Sequence, residues 1–293
     1  MIASSSVLDI VLIPLKFLGN HQTVFQNTMK ISKTRLSACS ALLGASAFML
    51  SVASVKAVVL VSESFNYTTG SAIAGLNGGT GFSGSYTGAG SVTAPGQTYT
   101  GLTTVGNTFT TNGSDQGAFR NLAAPINTDS GTIYVRFLAS NTSGGAPNYA
   151  GFSFFNSGSE ELFLGKPFNS ANYGFEVSGG VSGGITAPGA TISATTSLLV
   201  YRLSFSATVD TIDMFVNPGS TLGTPDATFT TPDNSALPGF NAIRLQSGNG
   251  ADTFDYDEIV IATSASDVLI PEPSVFGLVG IAAAGLLGRR RRA

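Results

Sequence analysis

The chain has 293 residues, with a hydrophobic fraction of 43%, a charged fraction of 11% and a formal net charge of −3. The apolar fraction is enough for a sizeable core and excludes a wholly disordered chain. The body between Val58 and Ile270 carries fifteen acidic residues against five basic ones, a net charge of −10. This acidic balance argues against nucleic acid as a partner, because phosphates require cationic side chains.

A basic segment, an apolar run and a pair of small residues follow one another at 29–57. Lys30, Lys33 and Arg35 precede the apolar run at 36–52, and Val55 and Ala57 are the small residues. This order predicts a secretory signal peptide, cut by signal peptidase between Ala57 and Val58. The short run and the cleavage site favour it over a buried helix or membrane anchor. Residues 1–28 are either a gene-model extension before a start at Met29 or an unusual leader.

The body at 58–270 contains β-strand patterns separated by clusters of Gly, Pro, Asn and Ser. The clearest is 132–139, where bulky residues alternate with others as in a half-buried strand. Predicted strands cover 58–61, 82–86, 132–139, 149–155, 161–164, 198–205, 211–216, 242–245 and 256–261. Many strands, short turns and almost no helical periodicity predict one all-β domain, an antiparallel two-sheet sandwich.

Acidic residues are the remaining candidates for catalysis. The single histidine, His21, and the single cysteine, Cys39, both precede the body, which therefore lacks imidazole and thiol groups. A carboxylate pair, as in glycosidases, is the open route. Glu160 and Glu161 are adjacent and would point to opposite faces of a strand. A second acidic cluster, Asp252, Asp255, Asp257 and Glu258, lacks the alternating acids of such enzymes. We predict no catalytic residue and a non-enzymatic protein.

Three aspartates are candidates for a metal site. Asp252, Asp255 and Asp257 could offer oxygen ligands to Ca²⁺. No Ca²⁺-loop motif accompanies them, so solvation of the entry to the last strand is the favoured role. The prediction is no cofactor, with Ca²⁺ at these residues as the less favoured alternative.

Four tyrosines lie in or beside turn-rich segments and are candidates for stacking against sugar rings. Core or half-buried packing is the favoured role for each of them individually. They are Tyr67, Tyr86, Tyr99 and Tyr149.

The C-terminus combines a proline pair, an apolar stretch and an arginine cluster. Pro271, Glu272 and Pro273 cannot continue a strand or a helix, and 274–288 is too short for a comfortable membrane span. Arg289, Arg290, Arg291 and Arg292 follow and favour the cytoplasmic side. This tail resembles the PEP-CTERM sorting signal of Gram-negative bacteria that make exopolysaccharide. The resemblance implies recognition by a membrane exosortase and processing near 271–273. An ordinary tail anchor is the alternative.

The body also resembles the concanavalin-like sandwich domains of PEP-CTERM proteins. The resemblance is carried by 63–67, 76–82, 200–203, 213–218, 243–245 and 257–261. Phe82 stands where such domains often have Trp, which removes a frequent sugar-stacking ring. The resemblance implies a two-sheet jelly roll, a fold that serves lectins, laminin-G-like modules and some glycosidases.

Together these features predict an exported protein with four segments: 1–28, the signal peptide at 29–57, the sandwich at 58–270 and the sorting signal at 271–293. A short apolar helix is expected in each of the two terminal signals. We expect delivery to the surface or extracellular matrix of a Gram-negative bacterium, with transient anchoring in the inner membrane. The leading function is a lectin-like module that binds exopolysaccharide or acts structurally. The alternative is an atypical glycoside hydrolase or polysaccharide lyase on the same fold.

Overall fold

The structure is a computed structural model that describes residues 58–113, 117–142, 145, 148–177, 184–232, 237–248 and 252–272. The described residues form fifteen β-strands and one 3-10 turn, Ala265–Asp267. The predicted signal peptide and the chain from Pro273 onward lie outside these ranges. In the described part of the chain, no helix is both long enough and apolar enough to cross a membrane.

The first sheet has eight strands and is antiparallel throughout. Its order is β13-β12-β11-β6-β15-β4-β3, and β1 pairs with β15 beside β4. Its strands are β1 (Val59–Glu63), β3 (Ser91–Thr93), β4 (Thr108–Thr110), β6 (Gly131–Asn141), β11 (Ser197–Phe205), β12 (Thr211–Val216), β13 (Ala227–Thr230) and β15 (Phe254–Ala262). A bulge in β15, where Glu258 has a φ of 50°, separates the part that pairs with β4 from the part that pairs with β1.

The second sheet has seven antiparallel strands in the order β10-β9-β8-β7-β14-β5-β2. Its strands are β2 (Phe82–Gly88), β5 (Ala118–Ile126), β7 (Tyr149–Asn156), β8 (Ser159–Lys166), β9 (Asn172–Val177), β10 (Ile185–Thr191) and β14 (Phe240–Gly248). A second bulge lies between β7 and β8, at the pairing of Phe155 with Glu160.

The main core lies between the two sheets and is rich in aromatic rings. Phe137 of the first sheet stacks on Phe152 of the second at 5.9 Å, and on Tyr201 at 6.0 Å. Phe154 and Phe240 stack at 4.4 Å within the second sheet. Such pairs add to the free energy gained by burial, and the Phe137–Phe152 pair joins the two sheets face to face.

The predicted fold class is confirmed: the described body is an all-β sandwich of two antiparallel sheets. All nine predicted strand segments fall on observed strands. Six strands were missed, because they are short or interrupted by Pro and Gly: β3, β4, β5, β9, β10 and β13. For example, Pro125 lies in β5 and Gly174 in β9, and both residues weaken a strand pattern.

Candidate functional site

The outer face of the eight-stranded sheet is covered by two segments of the same chain. Outward side chains of β6, β11, β12 and β15 form a second apolar cluster. Its sheet members are Leu138, Leu198, Val200, Phe215, Val260 and Ala262. Tyr99 and Leu102, from the loop 94–107, pack against it, as do Val268, Leu269 and Ile270. We call these two segments, the loop 94–107 and the residues 264–270, the cover. At this cluster, the outward side chains of the described sheet are buried beneath the cover and are closed to a ligand.

Two carboxylates at the β15 bulge hold the loop of the cover in place. Asp257 Oδ2 accepts a hydrogen bond from the backbone N–H of Gln97 at 2.8 Å. Glu258 Oε1 accepts from the N–H of Val105 at 2.6 Å, and its other oxygen lies 3.6 Å from the guanidinium of Arg136. The pKa of Asp257 is raised to about 8, mainly by burial and less by the negative charges of Glu258 and Glu63, while its two hydrogen bonds from backbone N–H groups act in the opposite direction. These acids are therefore part of the scaffold.

The outer face of the seven-stranded sheet, by contrast, carries a shallow pocket of about 260 Å³. The strand register explains its position: Phe154 and Leu162 enter the core, so their neighbours Ser153 and Phe163 alternate to the outer face. The pocket is lined by Tyr149, Glu160, Phe163, Phe168, Glu176, Arg244 and Gln246. We call it the open-face pocket.

Aromatic rings form one side of the open-face pocket. The rings of Tyr149 and Phe163 meet edge to face with centroids 6.3 Å apart. Glycines beneath them make room, since a Cβ at Gly151 would overlap the Phe163 ring and a Cβ at Gly248 would overlap the Tyr149 ring. Phe168, in the turn after β8, is 50% exposed. A large apolar side chain this exposed beside other rings is suited to contact with a ligand.

Polar groups form the other side. Arg244 makes an ion pair with Glu160, and its guanidinium lies 4.7 Å from the centroid of the Phe155 ring. Glu176 Oε1 accepts a hydrogen bond from the N–H of Phe168 at 3.1 Å, which ties the exposed ring to β9. The Arg244–Glu160 pair is only about one-quarter to one-third exposed, so both side chains are held in one geometry.

The lining of the pocket has one more acidic side chain than basic side chains. Burial is the main reason why the pKa of Glu160 is raised. Arg244 opposes that shift, and the carboxylate of Glu176 adds to it. With two carboxylates and one guanidinium, the pocket can donate and accept hydrogen bonds around an aromatic platform. This combination suits a polyhydroxylated ligand with flat apolar faces.

Of the four tyrosines that the sequence offers for stacking, the structure places one in the open-face pocket, Tyr149. Tyr67 and Tyr86 instead donate hydrogen bonds to Glu63, at 2.7 and 3.4 Å. Tyr99 belongs to the cover. The favoured prediction of structural packing therefore describes those three.

Glu63 and Arg120 form a buried ion pair at 3.3 Å. Arg120 also donates to the carbonyl oxygens of Gly78 and Gly84, so the pair fixes the glycine-rich turn that leads into β2. This turn is part of the scaffold.

The candidate acids are dispersed. Glu161 does not line the pocket that contains Glu160. Asp255 accepts a hydrogen bond from Thr110 at 2.7 Å, while Asp257 faces Gln97 on the cover. Among the residues that the structure describes, no three His, Cys, Asp or Glu side chains converge as a metal site, and this holds for Asp252, Asp255 and Asp257.

The processing signals lie at the edges of the described body. Val58 is 48% exposed, immediately before β1, and Pro271 and Glu272 are exposed immediately after the cover. Ala57, Pro273 and the four arginines at 289–292 lie outside the described residues.

Sequence reasoning missed five pocket residues: Phe163, Phe168, Glu176, Arg244 and Gln246. Two of these five residues could have been found from the sequence. Phe168 follows Lys166-Pro167 in a turn, where a large apolar side chain has no core to enter. Arg244 interrupts an apolar strand pattern, which indicates an outward position with a specific partner.

No protein-family model matches the sequence, and no curated protein matches it. Solved structures do match. The cellulose induced protein Cip1 is 16% identical with a TM-score of 0.39, covering 60% of this chain and 86% of that chain. Peanut lectin is 12% identical with a TM-score of 0.39, covering 71% and 98%. The botulinum neurotoxin serotype D binding domain is 11% identical with a TM-score of 0.44, covering 72% of this chain and 50% of that chain. Matches at these identities and TM-scores assign no ligand or activity to this chain.

Proposed function

We propose that the protein is a non-enzymatic surface protein that binds a glycan through the open-face pocket. The observation that carries this proposal is that exposed Phe168, half-buried Tyr149 packed on the buried ring of Phe163, and the Glu160–Arg244 pair line one pocket. The rings of Tyr149 and Phe168 would contact the apolar face of a sugar, and the charged pair offers donors and acceptors to its hydroxyl groups.

The charge of the pocket selects among glycans. Arg244 is neutralised by Glu160, and Glu176 leaves an excess negative charge. The whole body is acidic as well. A uronate polymer would meet repulsion here, because the described lining of the pocket offers it no unpaired cation, so the proposed ligand is a neutral polysaccharide chain.

Calorimetric titration tests this. The purified protein is titrated with neutral hexasaccharides (cello-, malto- and laminari-) and with an oligoguluronate of the same length. We expect binding of at least one neutral series and none of the uronate. Phe168→Ala should weaken binding about tenfold, since burying an aromatic side chain is worth about 1.5–3 kcal/mol.

Val105→Ala is the matched control, because Val105 is 57% exposed but lies on the cover. Equal binding by the Phe168→Ala protein and the wild type, or tight binding of the oligoguluronate alone, would contradict the proposal.

Hydrolysis remains the competing function, because Glu160 has a raised pKa beside a second carboxylate, as general acids do. We propose binding without cleavage because the Glu160 carboxylate is paired with Arg244. The check is reducing-sugar release from the glycan that binds. Release that disappears in Glu160→Gln, with binding retained, would replace the non-enzymatic proposal by a glycosidase.

Export is the second part of the proposal. The predicted cleavage after Ala57 would leave Val58, whose N–H lies 3.1 Å from Thr263 Oγ1, as an exposed start directly before β1. Pro271 follows the last residues of the cover. Processing at both points would therefore leave the two sheets and the cover complete. We propose signal peptidase and an exosortase as the processing partners and the cell surface or matrix as the destination.

Cell fractionation tests the sorting proposal. The wild type is compared with a variant in which Pro271, Glu272 and Pro273 are all replaced by Ala. We expect the variant to accumulate in the inner membrane. Equal delivery of both proteins to the surface would overturn the sorting proposal and leave the binding proposal untouched.

A further inference from the structure

A cleft opens between the two sheets at the end of the sandwich where β5 turns into β6. Its volume is about 380 Å³, and it is lined by β1, β5, β6, the end of β11 and Thr263. Apart from Val61, which is 2% exposed, four core side chains reach it with 5–7% exposure, whereas most of the core is at 0%. These are Leu122, Ile126, Ile133 and Phe205. The cleft therefore leads from solvent into the hydrophobic core.

The lining of this cleft is apolar inside and polar only at its rim. Among the residues that the structure describes, no lining side chain of the cleft is charged. Its exposed polar members are Asn127, Ser130 and Thr263, while the side chains at its inner end are those of the core. An ion entering it would lose hydration without gaining a partner, whereas an alkyl chain would gain free energy from burial.

We propose that the cleft binds the alkyl chain of an uncharged amphiphile, whose hydroxyl headgroup stays at the rim formed by Asn127, Ser130 and Thr263. The volume lies within the range of small-molecule sites. The described rim residues offer neutral hydrogen-bonding groups, and none of them is a cation that could pair with an anionic headgroup. The cleft shares no lining residue with the open-face pocket, so this site is independent of the proposed glycan binding.

A homologous series of ligands tests the site. The purified protein is loaded with the uncharged fluorescent probe N-phenyl-1-naphthylamine, which straight-chain 1-alkanols from hexanol to dodecanol then displace. We expect affinity to rise about fourfold with each added methylene group, and to level off once the cleft is full. Absence of saturable probe binding, or equal affinity along the series, would overturn the proposal.

A matched pair of variants locates the site. Ala124 lines the cleft, and Ala207 is exposed in the turn after β11, outside it. We expect Ala124→Trp to weaken alkanol binding at least tenfold and Ala207→Trp to leave it unchanged. Circular dichroism checks that both variants keep their β structure.

If Ala124→Trp does not fold, Ser130→Asp places a charge at the rim without filling the cleft. We expect it to weaken alkanol binding, with glycan binding unchanged. Alkanol affinity equal to wild type in the folded variant, Ala124→Trp or Ser130→Asp, would contradict the cleft as the binding site. The unchanged titration with neutral hexasaccharides distinguishes this result from a failure of the proposed function.

Discussion

The two outer faces of the sandwich are both formed by antiparallel strands, but they differ in the outward side chains and in what covers them. On the eight-stranded sheet, outward residues such as Leu198 and Phe215 are apolar, and the cover buries them. On the seven-stranded sheet, outward positions hold glycines, rings and the Arg244–Glu160 pair around an open pocket. The outward side chains of the eight-stranded sheet form a second apolar core, whereas the pocket on the seven-stranded sheet is open to solvent.

Burial and bonding partners separate the structural acidic side chains from those that a ligand can reach. The carboxylates of Asp257 and Glu258 are buried and bound to backbone N–H groups of the cover. Glu160 instead lies in a pocket that faces solvent. Acidic residues of the same type therefore serve stability on one face and a proposed ligand on the other.

The largest effect is expected from a matched pair of phenylalanines. Phe215 is 1% exposed beneath the cover and Phe168 is 50% exposed at the pocket. We predict that Phe215→Ala lowers the free energy of unfolding by about 3–5 kcal/mol. Phe168→Ala should change it by less than about 0.5 kcal/mol. Urea unfolding measures both, and comparable losses would contradict the contrast between the faces.

A smaller effect is expected at Glu258, which holds the loop of the cover in place. Glu258→Ala leaves Arg136 without its carboxylate and Val105 N–H without its acceptor. We predict a loss of about 1.5–3 kcal/mol, the usual range for hydrogen bonds to a charged group. Arg244→Met, which removes the partly exposed pair of the open face, should cost no more than about 1 kcal/mol. A reversed order in urea unfolding would argue that the cover is not held by Glu258.

The dependence of stability on pH should also report on Asp257, the buried acid that binds the cover. Asp257 has a pKa of about 8 in the folded protein, above the usual value for an unfolded chain. Between about pH 4 and this value the folded state holds a proton that the unfolded state has released. Stability therefore falls as the pH rises through this window and levels off above it.

Asp257→Asn removes this titration, so its thermal midpoint should depend less on pH than that of the wild type. Glu63 and Glu258, which face Asp257, remain in both proteins. Parallel pH profiles of the two proteins would show that Asp257 does not carry the dependence.

A small effect on stability, together with a clear effect on binding, is expected at Gly248. A Cβ there would displace the ring of Tyr149, an adjustment of one side chain at the surface. Gly248→Ala should change the free energy of unfolding by less than about 1 kcal/mol. Glycan affinity, measured by the same titration, should fall severalfold. Unchanged affinity would remove Tyr149 from the proposed platform.

The sheets could be predicted from the sequence because long strands such as β6 and β11 carry strong patterns. The open-face pocket could not, because it depends on register. Glu160 and Arg244 are 84 residues apart and meet only because β8 and β14 both flank β7. The cover was missed for a related reason: Tyr99 and Val268 lie in segments without strand periodicity, so nothing local shows that they pack on a sheet.

Hydrogen exchange of the purified protein, with and without the tightest-binding neutral hexasaccharide, tests the central claim most directly. The account predicts new protection around Tyr149–Asn156 and the turn that holds Phe168, with no change in the loop 94–107. Protection confined to the loop 94–107 and the residues 264–270 would place the ligand on the covered face and contradict the account.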